Sequence, residues 1–555
     1  VQSNRIAGYT PSGRIGIRTG RWTLTASGSG SFTPVAESRF TETREQAGQP
    51  LPFAGRSDSK SRTNYGRGHF SAVFDPTPKH TAGFDIEYTE RSTHMPTLSR
   101  TTLGQTQSDS RYRQHMDGNT LTATANYIWK IDTLGSQFKL IADYTRYTSD
   151  GDNSYHTTTC APGTLRDSLY ESATGSVYDI LTADAGLTRK LPHGLTLRAG
   201  LRYTRNDMAD KSRYAAQTQG TWLALPEYSY DQHYTEQIGA AYASLEYSAG
   251  RWELSAGLRG EYTSVASQAF GRSYFGLFPN VSVSRALNAL RTWLLVAQWS
   301  RNIERPAFPA LNPARIRISD YSWQSGNPSL RPTYIHRFSL TAVWKYRYTL
   351  TVGGNLHHDL IREIAHRDAT APDAVYIRPE NHYTENHWFV AASVPAKITR
   401  WWNLSVNAVG VMQRIRLNST DSPATHYLMF ADATCSFTLP AGFFAEAVYR
   451  AQSRLYSGNS EVGPRHTLSA TVKKQLFGKR LTLFCTLSNI TGCDWEFASL
   501  TDGMRRTIDT GQAWSGRLWK VGAAWNFRTG KKFRARTVES AAETQRKRLV
   551  KSTEQ

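Results

Sequence analysis

The residues in this sequence that could do chemistry are few and scattered. A nucleophile elbow reads G-x-S-x-G, and a phosphate cradle is a glycine-rich turn between strand and helix. Neither stands out. Gly13-Arg14-Ile15-Gly16 and Gly28-Ser29-Gly30 come nearest, but both lie where polar and apolar residues alternate, and glycine there relieves crowding or marks a bulge. His336, His357, His358 and His366 invite a metal reading. Yet His357 and His358 are adjacent in an alternating stretch and so face opposite sides. Cys160, Cys435, Cys485 and Cys493 show no C-x-x-C spacing. Four thiols allow three pairings, and Cys160 with Cys493 is the one left open here, both lying in loop-like stretches. No catalytic residue, metal site or cofactor is expected, and the chain reads as a non-enzyme. What does recur is arginine on one face of period-two stretches: Arg198 and Arg202, then Arg251 and Arg259. Arginines so placed either line a polar lumen and tune what passes, or pair with Glu253 and Glu261 across a wall.

The elements that must position them are strands. In Arg251–Thr263 one face reads Trp252, Leu254, Ala256, Leu258, Gly260 and Tyr262, while the other carries Glu253, Ser255, Arg259, Glu261 and Thr263. The same split appears in Leu195–Thr204 and Arg347–His357. Period two places successive side chains on opposite sheet faces. The alternating segments run about 10–14 residues, longer than the usual five or six of a soluble sandwich and suited to a tilted strand crossing a bilayer.

Bulk properties agree. The 555 residues show no linker between domains, and mean hydropathy is only −0.51 although aromatics reach 12%. A disordered chain would be poor in aromatic residues. No apolar run of 18 or more residues exists, which excludes a transmembrane helix but not a barrel, whose strands present only alternate residues to lipid. Val1-Gln2-Ser3-Asn4-Arg5 does not open a signal peptide, so a mature or truncated chain is expected. The net charge of +21 suits solvated loops and a basic tail, a lumen for anionic solutes, or loops that bind lipopolysaccharide phosphates. Nucleic acid is not an expected partner.

Short turns alternate with long polar stretches. Turns such as Thr77-Pro78-Lys79-His80, Leu191-Pro192-His193-Gly194 and Ala249-Gly250 separate strands, whereas 33–62, 93–117, 150–176, 209–232, 304–333 and 362–385 read as long loops. Short periplasmic turns and long outer loops are the pattern of outer-membrane barrels. Aromatics just past the turns, as in Arg21-Trp22, Arg251-Trp252 and Arg400-Trp401-Trp402, read as a girdle at the headgroup level or as cross-strand pairs. About ten hairpins and a lone strand near 513–527 give about 21 strands. Bacterial single-chain barrels have even numbers, so a first strand is expected before residue 11, for about 22 in all. Residues 1–529 then form the barrel, and 530–555 a basic, disordered periplasmic tail.

Ser300-Arg301-Asn302-Ile303-Glu304-Arg305-Pro306, then Leu311-Asn312-Pro313 and Gly326-Asn327-Pro328-Ser329-Leu330-Arg331-Pro332, lead into the alternating segment Phe338–Trp344. This run resembles the C-terminal barrels of TonB-dependent receptors, in particular the outer membrane protein beta-barrel family. Lys474–Leu483, Ser488-Asn489-Ile490 and Trp519–Phe527 look like the same family's end. The resemblance implies an all-β transmembrane antiparallel barrel in the cell outer membrane, filled by an N-terminal plug, gated by TonB and importing a scarce nutrient. Signal peptide, plug and TonB-contacting segment are not found in this sequence. The prolines suit a structured loop, and Arg305, Asn312 and Asn327 join Arg198, Arg202, Arg251 and Arg259 as candidate ligand contacts. Siderophore, vitamin, glycan and peptide ligands stay open, as do an adhesive anchor with basic loops and a passive porin.

Overall fold

Alternation becomes strand, with the polar side inward. The computed structural model describes residues 8–32, 36–268, 270–369, 371, 373–492, 495–512, 517–527 and 538–549. Within it Leu258 is 49% exposed, whereas Glu261 and Thr263 on the opposite face are 7% and 0% exposed. The pattern repeats along the sheet: Phe70, Phe84, Leu140, Leu181 and Leu201 are exposed, while Ser71, Thr124, Asp143, Thr182 and Thr204 are buried. A water-soluble sandwich buries the opposite set.

All described strands join one 29-stranded sheet. In chain order they are β1 (Ser12–Thr19), β2 (Trp22–Phe32), β3 (Ala36–Gln46), β4 (Gln49–Thr77), β5 (His80–Leu103), β6 (Thr106–Lys130), β7 (Gln137–Ala161), β8 (Thr164–Lys190), β9 (Leu195–Thr218) and β10 (Thr221–Ala224). Next come β11 (Tyr230–Ala249), β12 (Trp252–Ser267), β13 (Gly271–Ala286), β14 (Trp293–Glu304), β15 (Ile316–Ser319), β16 (Ser322–Gln324), β17 (Thr333–Trp344), β18 (Tyr348–Arg367), β19 (Val375–Lys397) and β20 (Trp402–Arg416). The last are β21 (Ala424–Leu439), β22 (Phe443–Gln452), β23 (Leu455–Ser457), β24 (Ser460–Val462), β25 (Arg465–Leu476), β26 (Leu481–Ser488), β27 (Trp495–Thr501), β28 (Met504–Gln512) and β29 (Leu518–Trp525).

The total exceeds the 21 or so expected because eight strands, β3, β10, β15, β16, β23, β24, β27 and β28, lie in the long connections. The other 21 run as antiparallel neighbours from β1 to β29. Several stretches read as loops are strand extensions instead: β4 has 29 residues and β8 has 27. Along these extensions both faces carry mostly polar residues, as in residues 106–115 of β6 and 148–159 of β7, so the apolar alternation that marks a strand in sequence disappears although the ladder continues. These extensions close in tight turns. Between β7 and β8, Ala161 pairs with Thr164 across Pro162-Gly163, and Gly163 has φ +75°, the left-handed second position of a type II turn.

The sheet's two ends meet on the long-loop side. β3, in the first long connection, pairs with β4 on one side and with β28, in the last, on the other, in register from Met504↔Gln46 to Gln512↔Ser38. At the other rim the aromatics past the short turns are exposed and also paired across strands: Trp22 stacks on Phe74 at 4.5 Å and Trp293 on Trp344 at 5.7 Å. The cross-strand reading of those aromatics therefore holds at Trp22.

Candidate functional site

The inner face is crossed by the connection between β14 and β17, residues 305–332. A one-turn helix, Phe308–Leu311, starts it, and proline at the helix's second position lacks only a donor that would be unpaired there anyway. Phe308, Leu311 and Leu330 are buried in one cluster with Tyr178, Ile180, Met208, Tyr234 and Val265 from β8, β9, β11 and β12. Further along, Asp320 accepts hydrogen bonds from the hydroxyls of Tyr112 and Thr157, each at 3.0 Å, and from Ser110, and it pairs with Arg317 at 2.6 Å. Burial, with Asp320 alongside, holds the Tyr112 phenol well above its usual range; Tyr112 lies on the outer extension of β6.

The motif residues explain this path. The Gly326 amide donates to the Asn312 carbonyl at 2.9 Å and the Asn327 amide to the Ala310 carbonyl at 2.7 Å. A Cβ on Gly326 would stand 2.1 Å from the Asn312 carbonyl oxygen, so only glycine lets these backbones approach. Asn312 accepts from the Tyr230 hydroxyl at 2.6 Å and from the Ala314 amide at 2.9 Å. Asn327 donates to the Pro379 carbonyl at 3.0 Å and accepts from the Ser329 amide at 3.0 Å. Asn312 and Asn327 thus fasten the loop.

Arg305 sits in a chain of alternating charge. Arg259 donates to Glu261 at 2.6 Å, and Glu261 takes Arg305 at 2.6 Å. Arg305 also lies 3.9 Å from Glu236, which is bound by Arg548 and by the Asn206 amide at 2.8 Å. Arg305, Glu236, Glu261 and Arg548 are all nearly inaccessible. Buried charges persist only when paired and hydrogen-bonded. Arg202 pairs with Asp184 at 2.8 Å and Arg198 with Glu246, so these inner-face arginines are bound to wall carboxylates. Arg251 falls in the short turn before β12, exposed, its carbonyl accepting from the Ala286 amide; parity counted from β12 does not extend into a turn. Cys160, Cys435 and Cys485 are free thiols, and Cys493 lies outside the described residues.

Glu236 and Arg548 escaped the sequence reading. Glu236 stands in the alternation of β11 like any polar residue, and Arg548 belongs to the basic stretch expected to be a disordered periplasmic tail. Residues 538–549 instead lie against the inner face: the Ala541 amide donates to Asp143 at 2.7 Å, and Glu539 pairs with Lys139 at 2.7 Å.

Two more features complete the charge map. On the long-loop side Glu42 is shared by Arg506 at 2.7 Å and Arg44 at 2.7 Å, with Arg44 stacked 3.7 Å over Phe53. Burial alone would raise the Glu42 carboxyl, but the two guanidiniums prevail and hold it below the usual carboxylate range. A cleft of about 600 Å³ opens among β4, β5, β6 and β7, lined in part by Arg56, Arg100, Asp58, Asp109 and His156. Its charges are largely spent: Arg56 pairs with Asp58 at 2.9 Å and Arg100 with Asp109 at 2.6 Å.

No curated protein sequence matches the chain. The fold is similar to the copper transporter OprC, at 10% identity, covering 91% of this chain and 80% of that one, with TM-score 0.53. It is similar to the ferric yersiniabactin uptake receptor FyuA from Yersinia pestis, at 12% identity over 92% and 80%, TM-score 0.51. The ferric-catecholate import receptor Fiu from K12 E. coli gives 8% identity over 86% and 81%, TM-score 0.51. At such identities the likeness is one of fold. The model of the outer membrane protein beta-barrel family matches residues 129–518. With its polar inner face, apolar outer face and antiparallel sheet, the chain belongs to the outer membrane protein beta-barrel family and resides in the cell outer membrane.

Proposed function

We propose that this chain is the barrel of a TonB-dependent receptor that captures a scarce solute at its long outer strands and imports it through a polar lumen. The observation that carries the reading is the inner face, lined by buried polar and paired charged groups in a sheet whose other face is apolar. A connection pinned across that face argues for a gated route. The gate would be a plug displaced by TonB, and neither lies among the described residues. Lipopolysaccharide, met by exposed outward arginines such as Arg111 and Arg113 of β6, is a further partner in this reading. Of the candidate residues, Arg198, Arg202 and Arg259, each paired with a wall carboxylate, would meet a solute only by exchanging that partner for it; Arg305, Asn312 and Asn327 would act by holding the inward loop, and Arg251 at the short-turn rim.

Strand direction adds a second step. β1 runs into the short turn before β2, and β29, paired with β26 in register Leu481↔Trp525, runs toward the same rim. Neighbours in this antiparallel wall must oppose each other, so β1 and β29 are not partners. Hydrocarbon does not tolerate an open sheet edge. One further strand, running outward and supplied from upstream of β1, would pair with both and give 22, the size class of plugged transporters. The 21 wall strands from β1 to β29 would then be the rest of the barrel.

The test is uptake by the full-length receptor of a panel of labelled siderophore, vitamin, glycan and peptide solutes, in cells with and without TonB. Uptake of one class that stops without TonB is expected. Uptake that persists without TonB would make the barrel a passive pore, and surface adhesion without any uptake would make it an anchor.

A further inference from the structure

The sheet's inner face carries a receptor for a guanidinium, and the chain's own C-terminal segment fills it. Arg548 donates through Nη1 to Glu236 and to the Gln545 side-chain oxygen at 2.8 Å, and through Nε to the Pro306 carbonyl at 3.0 Å. Its guanidinium carbon lies over the Phe308 ring, 4.2 Å from the ring centroid. Carboxylate, carbonyl and aromatic face are the three partners that suit a planar, delocalised cation. They come from β11 and from the start of the inward loop, so the site exists only while that loop is folded in.

Independent contacts fix the rest of the segment. Val538 lies beside Gly83, near the short-turn end of β5. Glu539 reaches Lys139, the Ala541 amide reaches Asp143, and Gln545 meets Asn206 at 3.4 Å. Ala542 is 0% exposed, and Leu549 packs on the cluster holding Phe308, Leu311 and Leu330. The segment therefore climbs from the short-turn rim along β5, β7, β9 and β11 to the underside of the loop. Glu236 joins it to the wall's charge chain, because Arg305 and Arg548 flank the same carboxylate.

We propose that residues 538–549 are an internal latch, an arginine-bearing segment that enters the lumen from the short-turn side, docks on Glu236, Phe308 and the Pro306 carbonyl, and holds the inward loop across the barrel. Release of Arg548 frees the start of the loop at Pro306 and Phe308, while Asn312, Asn327 and Asp320 hold the rest. The proposal rests on the inner face being the lumen of a transport barrel, but docking is read without reference to transport.

The experiment uses the full-length receptor in outer-membrane vesicles, with the four native cysteines changed to serine. The thiols of A542C and, separately, L134C, which lies in an exposed short turn, are reacted with a water-soluble maleimide. A docked segment makes the A542C thiol react at least about tenfold more slowly, since labelling waits on local opening. Arg548→Glu sets an anion in place of the latch cation, repelled by Glu236, and brings the rate to within about twofold of L134C. Trypsin on the unaltered receptor, read by mass spectrometry, gives no cut after Arg546 or Arg548 until the protein is denatured. Equal rates at the two thiols, or ready tryptic release of the C-terminus, would overturn docking. Slow labelling that Arg548→Glu leaves unchanged would overturn the latch. Loss of uptake with docking intact would instead fall on the transport reading.

Discussion

The two ends of the sheet behave differently at two heights. On the long-loop side they are laced together by β3 and β28, with Glu42 buried between Arg44 and Arg506. At the level of the bilayer β1 and β29 run the same way and make no ladder with each other among the described residues. Direction decides the difference. A hairpin in a connection can turn back to face its partner, as β27 and β28 do, whereas a membrane strand is committed by the turn that precedes it. At the outer seam a backbone ladder between β3 and β28 and the ion pairs of Glu42 act together.

Breaking the seam should have the largest effect. Glu42→Gln leaves two guanidiniums without a carboxylate and should destabilise the β3–β28 ladder by about 3–5 kcal/mol. Hydrogen exchange at β3 and β28 amides should rise while β5–β9 amides stay protected; equal loosening of both would erase the distinction between seam and wall. Gly326→Ala, clashing with the Asn312 carbonyl, should loosen the inward loop by about 1–3 kcal/mol and spare the seam. Proteolysis within 305–332 is the check.

Acid should reproduce the Glu42 effect in part. A carboxyl whose folded pKa is depressed adds stability above its unfolded value, near 4.5, and loses it as pH falls through the lower folded value. Seam exchange should therefore be flat from pH 7 to about 5 and climb only below about 4.5. A rise centred near neutrality would point to another group. Smallest of all, Trp22→Ala removes a rim stack and should cost about 0.5–1.5 kcal/mol of thermal stability without touching the seam.

The wall was legible because lipid imposes an apolar residue at every second position, as in Trp252, Leu254, Leu258 and Tyr262. The outer extensions of β4 to β8 were not, since water on one side and a polar interior on the other remove that alternation. The proline and glycine motif around 305–332 was legible as a structured loop, because φ limits and close backbone approach are local. Its inward course depends on partners such as Tyr112, Thr157 and Tyr230, far away in sequence. Arg548 shows the same limit more sharply: it meets Glu236 across 312 residues, and a basic terminal stretch without period carries no sign of a buried carboxylate waiting for it.

The most direct test of the proposed further strand is hydrogen exchange at β1 and β29 in lipid, comparing the Val1–Gln555 chain alone with the protein purified from native outer membranes. Amides on both edges are expected to exchange freely in the Val1–Gln555 chain and to gain about a hundredfold or more protection in the native protein, where the proposed strand would pair with each. Equal protection of β1 and β29 in the two proteins would contradict it, showing that the edges find a partner within these residues and that no further strand belongs between them.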